Sequence, residues 1–234
     1  MNLQNSTILI TGGSSGIGLE FVKQLTAEGA TIIITGRKME ALEEAKAQFP
    51  NLHIFQSDVS NPKQIEQLYE EVIRQFPDLN IIINNAGQMR LIDLQDSTLS
   101  LEGLNREIAS NLTGTIQMVH QFLPHLLQQK SAAIVNTSSG IAFMTYSAAP
   151  IYSATKAGVR AYTQALRLQL EDSPVKVFEL IPPGVKTNLQ NDWVKQPNQN
   201  MMMDADKLVE VAIRDLKRGR LEIKPGMVKL LKVM

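Results

Sequence analysis

The chain has 234 residues, 44% of them hydrophobic, which is enough for one sizeable core and makes one domain the default. Lysine plus arginine equals aspartate plus glutamate at 23 each, so overall charge gives no pull toward nucleic acid, and the absence of cysteine excludes disulfides, thiolate nucleophiles and cysteine-ligated metals. The polar start, MNLQNS, lacks a leader pattern and the apolar runs are too short to span a bilayer, so a soluble, cytoplasmic protein is expected.

The first predicted strand, Thr7 to Thr11, runs into the turn GGSSGIG and a helix over 16–27 that Gly29 closes. Ala30 to Thr35 (ATIIIT) is a second strand, β-branched as suits burial on both faces. A helix over 39–49 carries Leu42, Ala45 and Phe49 on one stripe and stops at Pro50. His53 to Gln56 makes a short third strand, with Asp58 just beyond it. Pro62 opens a helix bearing Ile65, Leu68, Val72 and Phe76, and Pro77 stops it. Leu79 to Asn84 is the fourth strand. A looser stretch over 87–101 leads into one long helix over 104–127, kinked or ended by Pro124. Ala132 to Thr137 is the fifth strand, a helix opens near Tyr152 and runs to Glu171, and Val175 to Ile181 is the sixth strand. The Asn- and Gln-rich segment 188–203 reads as a substrate lid within the same domain. A helix over 204–217 and a short strand over 221–223 complete the order. This alternation, with strands that are continuous apolar runs, predicts a single α/β domain over 1–234. It is a doubly wound parallel sheet of Rossmann type, about seven strands with helices on both faces.

The turn Thr11-Gly12-Gly13-Ser14-Ser15-Gly16-Ile17-Gly18 joins the first strand to the first helix of a βαβ unit. Its spacing is TGxxxGxG, not GxGxxG. Glycines there let backbone amides approach a phosphate, and the helix N-terminus adds open N–H groups and positive dipole. That position predicts a dinucleotide site. The second strand ends Thr35-Gly36-Arg37-Lys38, with no acid at its tip to hold a ribose 2′-hydroxyl. A guanidinium binds a 2′-phosphate in two parallel hydrogen bonds, so NADP(H) is predicted over NAD(H), with Arg37 on the phosphate.

The stretch Asn136 to Lys156, NTSSGIAFMTYSAAPIYSATK, carries the chemistry. Tyr152 and Lys156 lie four apart and share a helix face, and a neighbouring cation favours a phenolate. With a serine hydroxyl added, the set suits proton transfer to or from a substrate oxygen. In the reductive direction the carbonyl oxygen gains negative charge as hydride arrives, serine and tyrosine hydroxyls donate to it, and the tyrosine supplies the proton.

These residues resemble the short-chain dehydrogenase/reductase family, and look closest to bacterial oxidoreductases of the DltE-like kind. The resemblance rests on TGGSSGIG at 11–18, Asp58, NNAG at 84–87, Asn111 in SNLTG, Ser139, YSATK at 152–156 and PPGVKT at 182–187, in that order over nearly the whole chain. It implies that Tyr152 is the acid/base, that Lys156 holds the nicotinamide ribose and lowers the tyrosine pKa, and that Ser139, thirteen residues before Tyr152, is the serine. Asn111 would complete a proton relay. Gly12, Ser14, Ser15, Gly16, Ile17 and Gly18 would cradle the cofactor phosphates. Asp58 would meet the adenine, Asn85, Ala86 and Gly87 the ribose side, and Val185 and Thr187 the carboxamide. A homodimer or homotetramer through the helices over 104–127 and 152–171 is also implied. Two departures stand out: Pro182-Pro183 is a doubled proline, and Ser15 replaces a basic residue of many NADP-dependent relatives, leaving Arg37 to work alone or with Lys38.

Substrate walls are expected from Met89, Arg90 and Leu91, from Gly140 to Tyr146, and from the lid, where Trp193 and Met201 to Met203 offer adaptable apolar contact. Capping of the last helix is the alternative role for the methionine run. Arg90 reads as solvated, which favours an uncharged aldehyde or ketone. His53, His120 and His125 are scattered, and no metal is predicted. The stretch 214–234 holds seven Lys/Arg against two acids and ends in MVKLLKVM. It reads as the start of a basic amphipathic helix, solvated or at an oligomer contact rather than on a membrane, broken off in mid-pattern as if the natural chain ran on. The resulting expectation is an NADP(H)-dependent oxidoreductase on a small carbonyl or alcohol. The alternatives are a non-catalytic NADP(H)-binding regulator and an epimerase or dehydratase on the same fold.

Overall fold

The computed structural model describes residues 2–190, 198, 200 and 202–230. Seven strands, β1 (Thr7–Thr11), β2 (Thr31–Gly36), β3 (His53–Gln56), β4 (Leu79–Asn84), β5 (Ala132–Thr137), β6 (Val175–Leu180) and β7 (Glu222–Ile223), form one sheet in the order β3-β2-β1-β4-β5-β6-β7. All six pairings are parallel. The chain builds outward from β1 to β3, then returns to the other side of β1 with β4. That reversal opens a crevice at the carboxyl ends of β1 and β4, where doubly wound sheets bind ligands.

The β-branched runs follow from double coverage, since successive strand side chains point to opposite faces. Ile8, Ile10, Ile32, Ile34, Ile81, Ile83, Phe178 and Leu180 share a core with α1 (Gly16–Ala27), α2 (Met39–Gln48) and α7 (Ala205–Lys217). Leu9, Ile33, Ile82, Ile134 and Val177 pack on the other face with α3 (Pro62–Gln75), α5 (Gly114–Leu126) and α6 (Pro150–Gln169). Two asparagines interrupt this apolar filling and are paired: Asn84 Nδ2 donates to Asn136 Oδ1 (2.9 Å), and Asn136 Nδ2 donates to Thr163 Oγ1 of α6 (3.0 Å).

Helix starts obey local chemistry. Asn61 caps α3, its Oδ1 accepting from the N–H groups of Lys63 (3.1 Å) and Gln64 (3.4 Å), with Pro62 next, where a missing N–H removes no bond. Pro150 opens α6 two residues ahead of Tyr152.

The long helix expected over 104–127 starts earlier and is not uniform. α4 (Leu101–Glu107) begins where Ser100 Oγ accepts from the Gly103 N–H (3.0 Å) and passes into a π-helical turn, Ile108–Thr113, before α5. Thr115 Oγ1 donates to the Asn111 carbonyl inside that turn (2.9 Å). Gly114 lets α5 press on the loop after β3, since a Cβ there would lie 2.6 Å from the Val59 carbonyl oxygen. Pro124 sits inside α5, which ends two residues later. The tail expected as an amphipathic helix forms a short 3₁₀ turn, Gly226–Leu230, as far as it is described.

Candidate active site

The turn after β1 and the segment after β4 are built as one unit. Thr11 Oγ1 accepts from the N–H groups of Asn85 and Ala86, each at 3.0 Å. Asn85 Nδ2 donates to the carbonyls of Thr11 and Gly12, each at 3.2 Å. A Cβ on Gly18 would lie 2.2 Å from the Gly12 carbonyl oxygen, and one on Gly13 would lie 2.3 Å from Ile34 Cγ2, so only glycine fits this close approach. α1 then begins with no acid in its first turn and no side-chain cap from Ser15. Its first amides are left for a ligand or water.

Arg37 and Lys38 stand exposed past β2, and the Arg37 carbonyl accepts from Gln56 Nε2 (2.9 Å), bracing the tips of β2 and β3. Asp58 is half-buried, its Oδ1 accepting from the N–H (2.9 Å) and Oγ (2.7 Å) of Ser60.

Ser139 follows β5, and Tyr152 and Lys156 come from the first turns of α6; all three are buried. Burial pushes the Tyr152 phenol up to about 12, the neighbouring Ser139 side chain works against the rise, and the Glu107 charge adds to it. Lys156 Nζ donates to the Thr137 carbonyl (2.8 Å) and lies 5.5 Å from the centre of the Tyr152 ring. Its own burial lowers it from 10.5 to about 8. The ammonium is engaged with a carbonyl, and desolvation of the phenol dominates.

Asn111, delivered by the π turn, clamps the backbone after NNAG. Its Oδ1 accepts from the Gln88 N–H (2.9 Å), and its Nδ2 donates to the Gln88 carbonyl (2.8 Å) and to Thr155 Oγ1 (3.3 Å). Arg90, read as solvated, is instead tied to Glu107. Its N–H donates to Oε1 (2.9 Å), its Nη2 lies 3.5 Å from Oε2, and the same nitrogen reaches the Gly103 carbonyl. Burial raises the Glu107 pKa, with the Arg90 contacts opposing.

Behind Ser139 runs a second buried network. Ser138 Oγ donates to Glu179 Oε1 (2.6 Å), and Arg160 Nη1 donates to Glu179 Oε2 (2.7 Å). Arg160 also meets Glu222 (3.4 Å) and covers the Phe143 ring at 4.1 Å. Burial raises the Glu179 pKa, and Ser138 and Arg160 hold against it. The network fastens the residue before Ser139 to α6, β6 and β7.

These elements surround a cavity of about 790 Å³. Ile17, Asn85 and Gly87 line it from the β1 and β4 ends, Ser139, Tyr152 and Lys156 from β5 and α6, and Val185 and Thr187 from the segment after β6. Of the expected substrate walls, Met89, Gly140, Ile141, Met144, Thr145 and Tyr146 line it, while Arg90, Leu91, Ala142 and Phe143 do not. Of the methionine run, Met202 lines the cavity, and Met203 packs against the α1/α7 core. Of the lid, Leu189 lines the cavity, whereas Trp193 and Met201 lie outside the described residues. The sequence reading missed Met227, Val228 and Leu230, which also line the cavity. Three apolar residues, the Met, Val and Leu of MVKL interrupted only by Lys229, were the available signal, masked by the basic charge around them. Among the described residues no three His, Cys, Asp or Glu side chains gather as a metal site, and no helix is long and apolar enough to cross a membrane.

The reversed parallel sheet, the close glycine turn and the serine–tyrosine–lysine cluster define a Rossmann-type protein with a serine, a tyrosine and a lysine gathered at its crevice. The family profile described as short chain dehydrogenase matches residues 6–198. DltE of Bacillus subtilis (strain 168), an uncharacterised oxidoreductase, is 41% identical over 224 residues, covering 95% of this chain and 89% of that protein. A short-chain dehydrogenase from Sphingobium yanoikuyae, solved with NADPH, is 28% identical with a TM-score of 0.85, over 95% of this chain and 88% of that one. One from Burkholderia phymatum, solved with NAD, shares the fold at a TM-score of 0.85 and 22% identity, over 95% and 89% of the two chains. The chain belongs to the short-chain dehydrogenase/reductase family.

Proposed function

We propose that this chain is an NADP(H)-dependent oxidoreductase acting on an uncharged carbonyl or alcohol, with Tyr152 as acid and base. The observation that carries the reading is the buried Tyr152 phenol beside Ser139, in a cavity that both share with the Lys156 ammonium and the glycine-turn unit. The residues present fit a dinucleotide. The open amides of α1 suit a pyrophosphate. Gly87 leaves a flat backbone wall, where a Cβ would stand 3.3 Å from Asn111 Oδ1 and 3.7 Å from Lys156 Nζ.

In this reading Gly12, Ser14, Ser15, Gly16, Ile17 and Gly18 hold the phosphates, Arg37 takes the 2′-phosphate, and Asp58 meets the adenine. Asn85, Ala86 and Gly87 line the ribose side, Tyr152 and Lys156 hold the nicotinamide ribose, and Val185 and Thr187 hold the carboxamide. The bound cofactor supplies the hydride. Ser139 and Tyr152 donate hydrogen bonds to the substrate oxygen as it gains charge, which stabilises it where water is excluded. Tyr152, neutral at pH 7, then gives its proton to that oxygen, and takes one back in the reverse direction. In this reading Asn111, whose side chain clamps Gln88, takes part in the proton relay. A homodimer or homotetramer joined through α5 and α6 belongs to the same reading.

The test is consumption of NADPH and of NADH with a panel of uncharged aldehydes and ketones. Turnover with the lower KM for NADPH is expected. A preference for NADH would overturn the Arg37 assignment. Binding without turnover would leave a regulator, and product without net cofactor change would leave an epimerase.

A further inference from the structure

We infer that the substrate is a bulky or long-chain apolar carbonyl compound, whose hydrocarbon body leaves Tyr152 between the β5–α6 connection and the Gly226–Leu230 turn; this rests on the proposed reductase reading. Twelve large apolar side chains stand exposed among the described residues. Four of them, Met144 (65%), Tyr146 (41%), Met227 (73%) and Leu230 (80%), line the one cavity that holds Tyr152. Single exposed apolar residues need no explanation, but four from two distant segments converging on one opening form a contact surface.

The lining chemistry narrows the ligand. No Asp, Glu, Arg or His lines this cavity among the described residues, and Lys156, its one cation, is bonded to the Thr137 carbonyl. A charged substrate body would be desolvated there without a partner. The cavity is shared: Ile17, Asn85, Gly87, Val185 and Thr187 wall the part that the proposed reading gives to the cofactor, and the hydrocarbon body is assigned to the part lined by Met144, Tyr146, Met227 and Leu230. Met89, Met144, Met202 and Met227 all contribute, and unbranched thioethers adapt to varied hydrocarbon shapes.

The wall is a built feature. Gly226, at φ +61°, turns the chain beside the second proline of the Pro182-Pro183 pair, where a Cβ would lie 3.8 Å from Pro183 Cγ and 3.9 Å from Met203 Sδ. Met203 is held by its N–H to the Gly184 carbonyl (2.8 Å) and by the Lys186 N–H to its carbonyl (3.0 Å). Val228 is buried and anchors the turn, which leaves Met227 and Leu230 at the rim.

The experiment measures kcat/KM with NADPH for unbranched aldehydes and 2-ketones of increasing length, and for the same chains ending in a carboxylate. Wild type, Met227→Asp/Leu230→Asp and, as a remote surface control, Leu94→Asp are compared, with each melting temperature recorded. We expect kcat/KM to rise about fourfold per added methylene until the channel is filled. The terminal carboxylate should abolish the rise. The double variant should cut the ratio of long-chain to short-chain kcat/KM by about tenfold or more, and Leu94→Asp should keep it. Turnover without a length dependence, equal turnover of the carboxylates, or an unchanged ratio in a folded double variant would overturn the inference while leaving the reductase intact. If the double variant does not fold, the wild-type length and carboxylate series decides alone. No turnover of any carbonyl would overturn the reductase reading itself, and the inference with it.

Discussion

Tyr152 and Lys156 show how burial sets the terms of this site. Tyr152→Phe removes the one proton the reading assigns to the substrate oxygen, and should lower kcat by about 10²–10⁴-fold while NADPH binding, followed by fluorescence titration, persists. Lys156 carries a stability cost. Its pKa in the folded protein, about 8, lies below its ordinary 10.5, so the folded chain binds that proton less tightly than the unfolded chain does. The penalty is full below pH 8, amounts to roughly 3 kcal/mol, and disappears as pH rises to 10.5. Lys156→Met should therefore stabilise the protein by about 2 kcal/mol at pH 7, after the loss of the bond to Thr137 is set against the gain. Thermal melts at pH 7 and pH 10 should show that advantage shrinking. Turnover that depends on the ammonium should fall above pH 8 in the wild type. A raised Tyr152 costs nothing at neutral pH, since the phenol is uncharged in both states there.

At the scale of elements, α6 and β6 are joined by a buried ion pair whose removal is asymmetric. Arg160→Met would leave the Glu179 carboxylate buried with only Ser138 to hold it, and should cost about 3–5 kcal/mol in urea unfolding. Arg160→Met/Glu179→Leu should recover most of that loss, because no charge is then stranded. The π turn at 108–113 is the other element-scale feature. Both flanks of it read as ordinary helix, because the apolar spacing of α4 and α5 is helical on each side. The extra residue in the turn brings Asn111 to Gln88, a contact between groups 23 residues apart that no local periodicity encodes.

At the scale of the molecule, α6 exposes Ala154, Ala157, Ala161, Ala165 and Leu168 at helical spacing, while its buried positions serve the core and the site. Small side chains let a second helix approach closely. Light scattering should give twice or four times 26.0 kDa, and Leu168→Glu, with its 73% exposed parent side chain, should lower that mass without lowering the melting temperature. An unchanged mass in the variant would place the contact elsewhere, and a 26.0 kDa wild type would remove the oligomer from the reading.

Sequence alone determined the strand order in the chain, the parallel sheet, the glycine turn and the shared face of Tyr152 and Lys156, because each rests on local chemistry: burial on two faces, turn geometry and helical spacing; the choice of Ser139 came from the family resemblance. Tertiary structure decided the rest. It seated Arg90 on Glu107 instead of solvent, engaged Lys156 with Thr137, and folded Met227 and Leu230 onto the cavity. Each of those outcomes depends on desolvation and on partners distant in the chain, and the balance between burying a charge and pairing it exists only once the walls have closed.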